Sequence, residues 1–249
     1  MRSSKMWRAL MTVLPMLVVS GLTIAVMAAV PADYKGKPFN GKAQEIPGKV
    51  IAAYFDVGGN GVTYHTKDNK NHGSGESNKG PEEKNNLRKD EGVSVAYTKT
   101  GTDKWAADGK QMDLDQYYVG WVAEGDWMTY TLDVKESGTY VVNMLGGVNA
   151  ENTEVTLDFN NGAIKSGPVK VETTGYWHKY KVHNAICEVK LEKGLNVLTF
   201  TFSKQGNINL LWLEFVPKGK DAPAVTPTAA PKATSTEAPK ATSTAAKKG

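Results

Sequence analysis

Cysteine is almost missing, with Cys187 alone among 249 residues. An intrachain disulfide is excluded, so the fold must be held by burial or by a metal. Cys187 lies in an apolar–polar alternation, which marks a small buried side chain rather than a reactive thiol. Catalytic signatures are lacking too. No HExxH, Gly-x-Ser-x-Gly, P-loop or CxxC pattern occurs. The four histidines, His65, His72, His178 and His183, do not stand at metal-ligand spacing. Asp113 and Asp115 are close together, but in a polar loop such a pair is ordinarily solvated. The stretch from Lys67 to Gly80 carries Lys70 and His72 where a calcium loop needs oxygen donors. Amphipathic helical periodicity is absent between residues 33 and 217.

A strong charge of either sign is also absent from the part that folds. Of the net +4, the first 32 residues carry +3 (Arg2, Lys5, Arg8) and residues 218–249 carry +4 (six lysines against Asp221 and Glu237), leaving −3 for residues 33–217. The basic balance belongs to the ends, so no nucleic-acid partner is expected. Residues 1–32 read as a signal peptide: a basic start, an uncharged run from Ala9 to Val30, and small residues at Val26-Met27-Ala28 or Val30-Pro31-Ala32. The run is long enough to span a bilayer, so an uncleaved membrane anchor is the alternative. Either leaves the remainder outside the cytoplasm, secreted or tethered. Residues 218–249 read as a Pro/Thr/Ala/Lys-rich linker or disordered tail, with APKATSTE (Ala230 to Glu237) followed by APKATSTA (Ala238 to Ala245). With no aromatic residue it buries too little to offset its ordering entropy. Such a spacer suits attachment to a further module, a surface or a partner.

What remains, residues 33–217, is one domain rich in strand signals. Its organising stretch is YYVGWVAEGDWMTYTLDV, Tyr117 to Val134. It reads as two strands joined at Glu124-Gly125-Asp126. In the second, Met128, Tyr130, Leu132 and Val134 point one way and Thr129, Thr131 and Asp133 the other, the period of a half-buried strand. Further strands are expected at Val50 to Phe55, Val62 to Thr66, Val93 to Tyr97, Gly138 to Val148, Glu154 to Phe159, Ala163 to Val171, Trp177 to Val189, Leu195 to Phe202 and Ile208 to Val216. Loops are expected at Lys67 to Gly92 and Gly101 to Asp115. Many short strands punctuated by turns predict an all-β fold, and long strands with long loops favour a jelly-roll β-sandwich over an immunoglobulin type. Ile208 to Val216, apolar on both faces except at Asn209 and Glu214, reads as a central strand.

Five tryptophans lie in this domain: Trp105, Trp121, Trp127, Trp177 and Trp212. Trp212 sits in an apolar strand and should be buried; Trp127 should plug an end of the sandwich. Trp121 and Trp177 lie near turns, where a large flat ring is either an edge-of-core cap or a stacking platform. A pyranose has apolar CH faces and a rim of hydroxyls, so a site for one needs flat aromatic faces and a few fixed polar partners. Asn209, just beyond the Gly206-Asn207 turn, fits the polar role or a turn-capping one.

At these residues the chain resembles the family 6 carbohydrate-binding modules. The resemblance is carried by FDVGGNGVTYHT (Phe55 to Thr66), YYVGWVAEGDWMTYTLDV, GTYVVNML (Gly138 to Leu145), TTGYWHKY (Thr173 to Tyr180) and GNINLLWLEF (Gly206 to Phe215). It implies a lectin-like jelly roll that binds plant or algal cell-wall polysaccharide, a β-glycan such as xylan or glucan, without catalysis. Such modules commonly sit beside a secreted glycoside hydrolase; this one is expected to be a monomer. The resemblance places the sugar between Trp121 and Trp177, with Asn209 bonding its hydroxyls and His65 at the cleft rim. Members usually bind a structural calcium through two acidic residues of the first strand and an aspartate of the last. Here those places hold Ile51, Ala53 and Leu211, which offer no oxygen ligands. The calcium site is expected to be lost, leaving no cofactor. A small secreted glycosidase or lyase on the same sandwich, and a structural cell-surface protein, are the competing readings.

Overall fold

Apolar side chains recur at every second position through most of the domain, and the chain answers with strands and almost no helix. The computed structural model describes residues 28–73, 87–98, the backbone of 105–106, and 116–219. The expected leader and tail therefore lie outside the described residues except for 28–32 and 218–219, as do Asp113 and Asp115. The strands in chain order are β1 (Gln44–Ile46), β2 (Gly48–Ile51), β3 (Tyr64–His65), β4 (Val95–Tyr97), β5 (Trp105–Ala106), β6 (Tyr117–Val119), β7 (Trp127–Val134), β8 (Gly138–Val148), β9 (Thr153–Phe159), β10 (Ile164–Lys165), β11 (Val169–Val171), β12 (Lys179–Leu191), β13 (Gly194–Lys204) and β14 (Ile208–Pro217). Among the described residues no helix is long and apolar enough to cross a membrane.

Two sheets face each other. The first runs β1-β7-β13-β9-β10, with β3 paired to β7 and β11 to β9. The second runs β4-β6-β14-β8-β12-β5, with β2 paired to β14. The fold is the expected all-β jelly-roll sandwich. Met128, Tyr130, Leu132, Phe159 and Phe200 of the first sheet and Val142, Met144, Leu213 and Phe215 of the second belong to one buried cluster. Phe159 meets Phe215 edge to face across the layers, ring centres 6.3 Å apart. Each such ring contributes roughly 1.5–3 kcal/mol by leaving water. β14 lies inside its sheet with β8 on one side and β6 and β2 on the other, as its apolar sequence predicts.

Three expectations are corrected. Tyr117 to Val134 is not a hairpin. β6 belongs to the second sheet and β7 to the first, and residues 120–126 carry the chain across. The Gly125-Asp126 pair makes a turn inside that crossing rather than a hairpin turn. The polar face of β7 is not open to water either: Thr129 and Thr131 are buried, because residues 34–56 lie over them. Finally, Gly101 to Asp115 is not wholly loop, since β5 pairs in parallel with the start of β12.

The cover over β7 centres on one carboxylate. Buried Asp56 accepts hydrogen bonds from Thr131 N–H (2.9 Å), Thr131 Oγ1 (2.6 Å) and the Tyr34 hydroxyl. Arg88, also buried, donates to the backbone carbonyls of Phe55 and Asp56 and lies over the Phe55 ring. Burial pushes the Asp56 carboxyl above its ordinary 3.8, while the bonds from Thr131 and Tyr34 pull it down. A carboxyl raised by folding stabilises most below its unfolded value, and that contribution fades as pH climbs through the folded value. Asp56→Asn, which cannot ionise, should therefore gain stability relative to the parent as pH rises above the ordinary carboxylate value of 3.8. Asp56→Ala strands the donors and should cost about 3 kcal/mol. Thermal melts across pH check both; equal losses for the two variants would contradict the account.

Candidate functional site

The site is built outward from β14. Asn209 stands opposite Gly147 of β8, and its neighbour Leu210 opposite Val119 of β6. β6 runs directly into Gly120 and Trp121. Just beyond Gly147, Val148 at the end of β8 ties down the turn that carries Trp177. The central strand thus brings Trp121, Trp177 and Asn209 to one end of the sandwich. Asn209 is 5% exposed, and its Nδ2 donates to the Trp177 carbonyl at 3.1 Å. Its Oδ1 faces Gly120, where a Cβ would sit 2.6 Å away; a Cβ on Gly147 would sit 2.0 Å from the Trp177 carbonyl oxygen. Both approaches demand glycine. One amide hydrogen of Asn209 is thus committed to the fold, a role that polarity alone did not reveal.

The two indoles are held out by different means. Trp121 is 51% exposed and adopts φ +51°, a left-handed conformation that costs a non-glycine residue about 1–3 kcal/mol. Its neighbourhood enforces it. Gly120 N–H donates to Ser94 O (3.0 Å), and Asp126 accepts from Ala123 N–H (2.8 Å) and Lys67 N–H (2.9 Å), closing the crossing loop on itself and on the 66–73 loop. Burial pushes the Asp126 carboxyl up, against those two backbone bonds. The Trp121 ring lies nearly parallel to buried Tyr118, 6.3 Å between centres. Trp177 is 39% exposed. Its turn is sewn to β8 by Thr174 N–H and the Thr173 hydroxyl, both donating to Val148 O. Exposed Tyr176 packs at 5.9 Å from Trp177 and 5.5 Å from His178, and His178 meets Tyr118 edge-on at 6.2 Å. Trp121, Tyr118, His178, Tyr176 and Trp177 therefore form a continuous line of rings.

His65 is placed differently. It lies on β3, exposed, opposite Trp127 in the first sheet, and among the described residues nothing joins it to Trp121, Trp177 or Asn209. Its charged neighbour is Asp126. Trp127 is half-buried at the start of β7, and Trp212 is buried as expected, with Lys49 over its ring at 4.4 Å. Cys187 packs half-buried at the core's edge, and burial pushes its thiol up to about 11, which suits packing rather than reactivity. Tyr118, Tyr176, His178 and Asp126 escaped the sequence reading. The density of rings in YYVGW and TTGYWHKY was the signal for the first three; Asp126 looked like an ordinary turn residue.

The calcium implied by resemblance does not fit these residues. Ala53 and Leu211 are fully buried apolar side chains, and Ile51 packs against the cluster that holds Leu211. Among the described residues no group of three His, Cys, Asp or Glu side chains could hold a metal.

A family model described as "Carbohydrate binding module (family 6)" matches residues 94–217, from the residue before β4 to the end of β14. This stretch belongs to the family 6 carbohydrate-binding modules. The match takes in both tryptophan loops and Asn209; β1 to β3 precede it but complete the module's sheets. No match to a curated protein was found. Similar solved structures include the family 6 module of Cellvibrio mixtus lichenase 5A in complex with cellotriose, 20% identical over 49% of this chain and 85% of that chain, TM-score 0.39. A module from Clostridium stercorarium in complex with cellobiose is 13% identical over 70% of this chain and 97% of that chain, TM-score 0.41. A β-1,3-glucan-binding module from Bacillus halodurans is 13% identical over 70% of this chain and 98% of that chain, TM-score 0.44.

If Gly147 keeps the Trp177 turn in place, Gly147→Ala should lower module stability by about 1–3 kcal/mol and change the quenching of tryptophan fluorescence by acrylamide. A parent-like melt with parent-like quenching would show that the close approach is not needed.

Proposed function

We propose that this module is non-catalytic and holds a pyranose of a cell-wall β-glycan, of xylan or glucan type, on the rings of Trp121 and Trp177. The observation that carries the reading is the pair of indoles held out to water on either flank of the central strand, with Asn209 between them. A ring that is half exposed yet fixed by a backbone of positive φ, glycine contacts and a side-chain amide has lost its freedom before any ligand arrives. Preorganisation of this kind lowers the entropic cost of stacking. Asn209 positions the Trp177 turn and offers its remaining amide capacity to sugar hydroxyls. The module works as a monomer without calcium. Exported behind its leader and joined through its tail, it brings an attached glycoside hydrolase to its substrate.

Affinity gel electrophoresis with soluble xylan, cellulose derivatives and β-1,3-glucan tests this. Trp121→Ala and Trp177→Ala should each weaken retardation by on the order of 2 kcal/mol, about thirtyfold in Kd, while keeping the parent's melting temperature. Parent-like retardation of both variants would end the proposal.

Melts with excess EDTA and with excess calcium should coincide, because a ligand that binds only the folded state would raise Tm. A large calcium-dependent rise would refute the calcium-free reading.

A further inference from the structure

Beside Trp121, on the side of the 66–73 loop, lies a groove of about 420 Å³, within the range of small-molecule sites. The 66–73 loop and the crossing loop 120–126 form its walls, and Asp126 links them from below. Trp121 lines it, so a sugar on that ring has the groove next to it.

The hydrogen-bonding state of the lining decides what the groove can take. Both Asp126 oxygens accept backbone N–H groups. Asp68 Oδ1 accepts from Lys70 N–H at 3.1 Å, and its Oδ2 is bonded to His72 Nε2 at 2.6 Å, which holds the carboxyl below its ordinary range. Ser94 Oγ accepts from His72 N–H, and the Thr66 hydroxyl donates to Gly92 O. The oxygens of Asp68 and Asp126 are thus each hydrogen-bonded within the protein. Lys67 and Lys70 also line the groove; among the described residues neither ammonium makes a direct ion pair, and Lys70 acts on Asp68 only across space. Two ammonium groups beside a stacking ring, neither in a direct ion pair among the described residues, favour an anionic substituent over a hydroxyl.

We propose that this groove is a subsite for an acidic sugar unit, carrying a uronate carboxylate or a sulfate ester, held by Lys67 and Lys70 next to the ring stacked on Trp121. The proposal rests on the reading of Trp121 as a sugar platform.

Isothermal titration of the whole module with cello- and laminari-oligosaccharides, with the same oligosaccharides oxidised at C6, and with the same oligosaccharides sulfated at C6, tests it. At low salt a charged form should bind about fivefold tighter than its neutral parent. The preference should shrink as sodium chloride is raised towards 1 M, where screening is nearly complete. In the Lys67→Ala/Lys70→Ala double variant the charged-to-neutral ratio should fall to about one. The better-bound charged series, oxidised or sulfated, identifies the substituent. Equal binding of neutral and charged forms by the parent, or a preference that survives in the double variant, overturns the subsite while leaving the stacking reading intact. Failure to bind any of the oligosaccharides overturns both.

Discussion

The structure turns on the hydrogen bond from Asn209 Nδ2 to the Trp177 carbonyl, made from the start of a central strand. A strand with neighbours on both sides can hold two loops at once, and β14 does so through β6 and β8. Gly120 and Gly147 leave room for the amide on one side and the carbonyl on the other. The site inherits the rigidity of the sheet, and the loops that carry the two indoles have little freedom of their own. Binding sites on rigid elements hold their geometry better than sites on free loops, which is why a single buried amide matters here more than any surface contact.

The rest of the sandwich keeps that strand in place. Asp56 and Arg88 pin the segment after β2 across the outer face of β7, replacing solvent with a bonded layer. Ile51 extends the packing around Leu211, two residues along β14 from Asn209. Burial and buried hydrogen bonds together do what disulfides do in some other domains of this size.

Much of this was legible in the sequence. The alternation of Met128, Tyr130, Leu132 and Val134 gave β7 its inner face, and the apolar run from Ile208 marked a strand with neighbours on both sides. The blocks around Trp121, Trp177 and Asn209 carried the family resemblance, and the structure gathers those three residues at one end. Other features were hidden for physical reasons. Consecutive strands usually pair, so β6 and β7 looked like a hairpin; the crossing between sheets at residues 120–126, with a left-handed backbone at Trp121, leaves no mark in the residue types there. Thr129 and Thr131 look solvent-facing because the segment that covers them lies some 75 to 95 residues away in sequence. Asn209 read as a sugar ligand because a polar side chain at a strand's mouth gives no hint that a carbonyl from another loop awaits it.

The proposed binding mode has Trp121 and Trp177 gripping the same sugar. Its most direct measurement is the indole Nε1–H resonance of each tryptophan in a ¹⁵N-labelled module during titration with a β-glucan oligosaccharide. The account requires the signals of Trp121 and Trp177 to move together with one dissociation constant, while that of buried Trp212 stays still. Movement of neither ring, or of the two with different dissociation constants, would contradict it.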